Sequence, residues 1–127
     1  MMSEVGTVTW FDLTVPDADR LRDFYHDVVG WKVEEAKMDS YCDYVMKMPG
    51  GDAVAGVCHA RGVNAKVPPQ WLIYINVANL NESIEKCKSL GGSVVDGPRS
   101  MGSYGTLAII RDPAGAFCAL IEPPTTP

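Results

Sequence analysis

The chain opens on a stretch in which two sets of side chains alternate: Trp10, Asp12 and Thr14 interleave with Phe11, Leu13 and Val15. A period of two predicts a strand with two different faces. Pro16-Asp17 interrupts this pattern, and apolar residues then return at helical spacing over 18–29. Asp17 is a good N-cap and Gly30 is placed to end the helix. The stretch therefore predicts a strand, a turn and an amphipathic helix.

The same plan recurs after residue 70. Val15 and Val77, Asp17 and Asn79, and Gly30 and Gly92 share one constant spacing, which indicates an internal repeat. The predicted strands are 5–15, 31–36, 41–48, 53–60, 71–77, 93–95, 106–111 and 116–121, and the predicted helices are 18–29 and 80–90. Asn79 with Glu82 resembles a capping box.

We therefore predict an α+β fold in which two tandem βαβββ modules form an incomplete curved barrel around a cleft. Residues 1–127 would form a single domain, with modules at 5–60 and 70–122 and a linker at 61–69. Each module alone is too small to bury its own sheet.

The composition of the chain argues against some classes of binding partner. The net charge of -5 argues against nucleic acid, since phosphate binding needs clustered Lys and Arg. No apolar run is long enough for a membrane span, and no signal peptide is evident, so we expect a cytoplasmic protein without membrane partners. The four cysteines lack metal-site spacing and are expected to be buried free thiols.

Three segments carry a family resemblance: WFDLTVPDADRLRDFYHDVVGW, WLIYINVANLNESIEKCKSLGG and RDPAGAFCALIEP. Together they resemble the vicinal-oxygen-chelate superfamily of glyoxalases, bleomycin-resistance proteins and dioxygenases, in its glyoxalase-like branch. The resemblance implies a homodimer. It also implies four positions at which family enzymes hold a divalent metal, one in each first strand and one in each fourth strand.

Those positions fall at Trp10, Ala55, Leu72 and Ala119, and none of these side chains can ligate a metal. Among the neighbouring residues only Cys118 is a plausible donor, and strand alternation turns it away from the cleft. We therefore expect a branch member that lacks the metal ligands and needs no cofactor.

If Trp10 faces the cleft, alternation brings further residues to the same surface. The first module would contribute Ala53, Ala55, Val57 and His59 from its fourth strand. We predict a ligand-binding surface made of Trp10, Asp12, Thr14, Leu72, Tyr74, Asn76, Tyr104 and Phe117. Its aromatic and aliphatic lining with a few polar groups is usual for small-molecule pockets.

Asp12 is the most informative polar residue, because a carboxylate in a dry cleft needs a donor, water or a proton. Candidate donors are Arg99, Arg111, Tyr74 and Thr14, or an amine or hydroxyl of a ligand. Asp12 is therefore either a satisfied strand residue, a ligand anchor or a general base.

His59 ends the fourth strand on the face of Ala55, as a rim histidine or a second catalytic residue beside Asp12. Glu122 is expected to be a solvated strand end, and His26 lies on the polar side of the helix. Tyr104 lies in a Gly-rich loop that either covers the cleft or is plain surface.

The leading hypothesis is a metal-independent small-molecule binding protein that sequesters an aromatic or toxic compound. The second is a lyase- or isomerase-type enzyme that uses Asp12 as acid or base, with Tyr74, Asn76 or His59 assisting. The third is a metal-dependent lyase or dioxygenase with rearranged ligands, for which the candidates are Asp12, His59 and Glu122.

Overall fold

A computed structural model describes residues 4–38, 40–61 and 65–124. Its elements repeat one order, βαβββ, twice along the chain. They are β1 Val8–Val15, α1 Ala18–Val29, β2 Lys32–Lys37, β3 Cys42–Lys47, β4 Ala53–His59, β5 Trp71–Asn76, α2 Leu80–Ser89, β6 Ser93–Ser100, a 3-10 turn Gly102–Tyr104, β7 Thr106–Arg111 and β8 Phe117–Glu122. The mixed α+β class and the βαβββ repeat are thus confirmed.

The chain divides into two compact units. The first unit is Trp10–Trp71, and the second comprises the described residues 4–9 and 72–124. The amino-terminal segment joins the second unit through hydrogen bonds of its backbone: Gly6 N–H donates to the Asn76 carbonyl at 2.8 Å, and Asn76 N–H donates to the Thr7 carbonyl at 2.9 Å.

The two units use the same strand order. In the first unit the order is β2-β3-β4-β1, and β1 runs parallel to β4. In the second unit the order is β6-β7-β8-β5, and β5 runs parallel to β8. The remaining neighbouring strands of each unit pair antiparallel.

Each helix covers one face of its own sheet. Under α1, the core contains Leu13 and Val15 of β1 with Ala55 and Val57 of β4. Under α2, Leu80 and Ile84 pack with Ala108 and Leu120. We call the opposite face of each sheet its helix-distal face.

Local sequence explains where the helices begin and end. The Asp17 carboxylate accepts from Arg20 N–H at 3.2 Å, and Asn79 Oδ1 accepts from Glu82 N–H at 3.1 Å. Gly30 ends α1 with φ of 87°, a left-handed conformation that a residue with a Cβ rarely adopts. Neither helix is long and apolar enough to cross a membrane, among the residues that are described.

The largest departure from the predicted elements is β6. The predicted strand covers only 93–95, yet the observed strand continues through Asp96-Gly97-Pro98 to Ser100. Two register shifts against β7 absorb the irregular residues, and Gly97 adopts a φ of 92°. A bulged strand can thus incorporate residues that otherwise signal a turn.

Candidate functional site

The helix-distal face of the first unit carries a paired carboxylate. Trp10 and Asp12 are two residues apart on β1, so their side chains lie on the same face. The indole Nε1–H of Trp10 donates to Asp12 Oδ1 at 2.7 Å. Trp10, the neighbour of Asp12 along the strand, is therefore a donor to this carboxylate that the sequence did not suggest.

Gly56 lies directly beside Asp12. The parallel register pairs Asp12 with Gly56 and Leu13 with Val57. A Cβ on Gly56 would overlap Asp12 Oδ1 and would lie 3.3 Å from Asp12 Cγ and 3.4 Å from Trp10 Nε1. The carboxylate of Asp12 therefore rests against the bare backbone of β4.

This register corrects the predicted faces of β4. Ala55 and Val57 are 2% and 0% exposed and belong to the core under α1, so they do not share the face of Asp12. Gly56 shares that face instead. Consequently His59, which follows the alternation of Ala55 and Val57, also lies on the helix side.

His59 is part of a polar cluster at that side. Its Nδ1 lies 3.3 Å from Asp43 Oδ1, and its Nε2 lies 3.6 Å from Asp19 Oδ1 in the first turn of α1. Asp43 also accepts from His59 N–H at 2.9 Å, and Tyr44 donates its hydroxyl to Asp19. His59 thus ties β4 to β3 and α1, and it does not face Asp12.

The side chains of Tyr44 and Cys58, which lie near aspartate carboxylates, both have raised pKa values and therefore favour their neutral forms. Burial, followed by its hydrogen bond to Asp19, raises the pKa of Tyr44 to about 12. Burial also raises the pKa of Cys58, and the negative charges of Asp12 and Asp43 raise it further. Because a thiolate is the nucleophilic form, this environment is unfavourable for cysteine catalysis.

The second unit places its predicted residues on a corresponding face. Ile75, Val77, Cys118 and Leu120 pack on the α2 side, so alternation puts the other set on the helix-distal face: Leu72, Tyr74, Asn76, Phe117 and Ala119. Leu72, Asn76 and Ala119 are buried, whereas Tyr74 and Phe117 are half-buried. Thr14 of the first unit is also buried.

Tyr104 ends the 3-10 turn with 75% of its surface exposed, in agreement with the alternative that its loop is plain surface. Glu122 is not a solvated strand end, because its Oε1 accepts from Leu80 N–H at 2.8 Å and so caps the start of α2. The four cysteines are free, as expected, but they are half-buried rather than buried.

In each unit, the positions that the family resemblance assigns to metal ligands carry side chains that cannot bind a divalent metal. The corrected face of β4 replaces Ala55 by Gly56, and glycine, tryptophan, leucine and alanine offer no side-chain ligand. Asp12, His59 and Glu122 do not form a rearranged metal site either. Asp12 and His59 lie on opposite faces of the sheet, and Glu122 accepts a hydrogen bond from the start of α2. In the described ranges, no group of three or more His, Cys, Asp or Glu is placed to hold a metal.

Two surface cavities lie elsewhere. One, of about 510 Å³, is lined by Arg22, Asp23, His26, Lys32, Val33, Glu35 and Tyr44. The other, of about 290 Å³, is lined by Gly91, Ser93, Arg111, Asp112, Pro113, Ala114 and Gly115. Neither of these two contains a residue predicted to bind ligand.

A duplicated βαβββ architecture with parallel β1/β4 and β5/β8 pairs defines a protein of the vicinal-oxygen-chelate type. Comparison with known families agrees: the profile of the Glyoxalase/Bleomycin resistance protein/Dioxygenase superfamily matches residues 7–119. The chain belongs to this superfamily.

The individual relatives have low sequence identity to this chain. The chain is 28% identical over 123 residues to "Putative glyoxylase CFP32" of Mycobacterium bovis, covering 97% of this chain and 46% of that protein. It is 25% identical to the anthracycline biosynthesis protein DnrV of Streptomyces peucetius, over 91% of this chain and 46% of that protein. The chain thus spans slightly less than half the length of these relatives.

Solved structures share the fold. The methylmalonyl-CoA epimerase of Mycobacterium tuberculosis superposes with a TM-score of 0.58 at 20% identity, over 98% of this chain and 94% of the other. The hypothetical protein BH1468 of Bacillus halodurans superposes with a TM-score of 0.62 at 14% identity, over 98% and 99% of the two chains.

Proposed function

We propose that this chain binds a small molecule without a metal, with Asp12 as the anchor of that ligand. The observation that carries the proposal is the hydrogen-bonded Trp10–Asp12 pair, in which Trp10 occupies a position that the family resemblance assigns to a metal ligand. A carboxylate accepts hydrogen bonds, so the ligand group that meets it is an ammonium or a hydroxyl.

An aromatic ligand agrees with the surroundings of Asp12. The indole of Trp10 offers a ring for stacking and for contact with a cation. The net charge of -5 also favours a neutral or cationic ligand over an anion. Sequestration of a small aromatic compound is therefore the function that these residues support best.

A thermal-shift screen tests the proposal. Protein stripped of metal with EDTA is heated with phenol, indole, benzaldehyde or benzylamine. A ligand at one hundred times its Kd stabilises the native state by about 2.7 kcal/mol, which for a chain of this length raises Tm by roughly 10 °C. The proposal predicts such a shift in the stripped protein, and a shift that appears only after a divalent ion is restored would contradict it.

A catalytic role for Asp12 is the second candidate. It is favoured by the fixed position of the carboxylate, and the names of some relatives and neighbours describe enzymes, a glyoxylase and an epimerase. Asp12→Asn separates the candidates. If Asp12 is an anchor, binding weakens; if it is a general base, turnover disappears while binding largely survives.

We also propose that the protein works as a cytoplasmic homodimer, with no membrane or nucleic-acid partner. Exposed apolar side chains on α1 support self-association, since Phe24 and Val28 are 51% and 65% exposed. Light scattering after gel filtration tests this: a mass near twice 13.8 kDa is expected, and a monomer at high concentration would refute it.

A further inference from the structure

Gly56 is an unusual residue for the middle of a strand. It lies inside β4, where glycine gives no side chain to pack and costs conformational entropy. Its backbone does not need glycine, because Gly56 is not among the residues with positive φ. The reason for glycine must therefore lie in what surrounds it.

The surroundings identify that reason. The space that a Cβ would fill is occupied by Asp12 Oδ1, with Asp12 Cγ at 3.3 Å and Trp10 Nε1 at 3.4 Å. All three atoms belong to the hydrogen-bonded pair on β1. No backbone atom is among these three nearest atoms, so the tightest contacts are with the side chains of this pair.

We propose that Gly56 is a positioning residue of the ligand site: it leaves room for the Asp12 carboxylate to lie against β4 within reach of the Trp10 indole. A Cβ at this position would force Asp12 to rotate away, because its carboxylate is the movable part of the contact. The hydrogen bond at 2.7 Å would then be lost while the strands stay paired.

The consequence for binding rests on the proposed function. If Asp12 anchors a ligand, Gly56→Ala displaces the anchor and weakens binding as Asp12→Asn does. The consequence for the Trp10–Asp12 pair does not depend on any ligand, so the two ideas can fail separately.

The test reads the indole N–H signals of the three tryptophans in a 1H–15N correlation spectrum. Trp10→Phe assigns the Trp10 signal. In Gly56→Ala we expect that signal to move in the same direction as in Asp12→Asn, and to exchange faster with water. Gly50→Ala is the matched control, since a Cβ there meets nothing within 4 Å.

A double-mutant cycle covers the case of a poorly folded variant. Asp12→Ala empties the crowded space, so Gly56→Ala is expected to lower Tm much less in that background than in the wild type. An unchanged Trp10 signal in Gly56→Ala, or an equal loss of Tm in both backgrounds, would overturn the proposal.

Binding of benzylamine then tests the ligand site itself. We expect roughly tenfold weaker binding in both Gly56→Ala and Asp12→Asn, the loss expected for one charge-assisted hydrogen bond. If wild-type protein does not bind benzylamine while the Trp10 signal behaves as expected, the proposed ligand class fails and the positioning role stands.

Discussion

Replacing Trp10 by phenylalanine keeps an aromatic ring on β1 and removes the indole N–H that donates to Asp12 Oδ1 at 2.7 Å. A hydrogen bond to a charged group contributes about 1.5–3 kcal/mol, and both side chains here are half-buried. Partial access to water reduces the loss, so we expect the free energy of unfolding to fall by about 1–2 kcal/mol from this bond. Loss of ring area adds to that figure.

A double-mutant cycle isolates the hydrogen bond from the lost area. Trp10→Phe is measured by urea unfolding in the wild type and in Asp12→Asn, and the difference between the two costs is the coupling. We expect a coupling of about 1 kcal/mol or more. Trp31→Phe is the control: Trp31 packs against the core under α1, and its cost should not depend on Asp12. A coupling near zero for Trp10 would refute the pairing.

Three further predictions concern groups outside that pair. The raised pKa of Tyr44 means that the unfolded chain loses this proton first, so stability should fall by roughly 2–3 kcal/mol between about pH 10 and 12; Tyr44→Phe should flatten that decline, and parallel curves would contradict it. The Cys58 thiol should react with iodoacetamide far more slowly in native than in urea-unfolded protein at pH 8.5, because burial keeps it protonated; equal labelling of the Cys58 peptide by mass spectrometry would argue against this. Glu122→Ala should cost about 1 kcal/mol by removing the cap of α2, and Glu122→Gln should cost less; equal urea midpoints for both variants would contradict the cap.

Much of the fold could be predicted because its signals are local. The period of two in 10–15, the helical spacing in 18–29 and the caps Asp17 and Gly30 all act within a few residues. Helix α1 accordingly begins and ends at the predicted residues. Because the chain repeats this plan, each of these local signals occurs twice.

The faces of β4 could not be predicted in the same way. The run AVAGVCH contains no charged residue before His59 to mark one side, and a shift of one residue exchanges both faces. Only pairing with β1 places Gly56 beside Asp12. The isolated glycine was the available signal, since glycine inside a strand often marks a close approach.

The sequence also did not predict which side chains form hydrogen bonds with one another. The bond from Trp10 to Asp12 depends on two rotamers, and the bond from Glu122 to α2 joins residues 42 apart in sequence. Neither follows from periodicity. For that reason, sequence reasoning identified Asp12 as important but did not identify Trp10 as a donor to it.

Isothermal titration of metal-stripped protein with benzylamine tests most directly whether Asp12 anchors a ligand without a metal. We expect binding in the wild type, roughly tenfold weaker binding in Asp12→Asn, and unchanged binding in Asp52→Asn, an exposed carboxylate at a turn. Equal affinity in Asp12→Asn and wild type, or binding that requires added zinc or manganese, would contradict it.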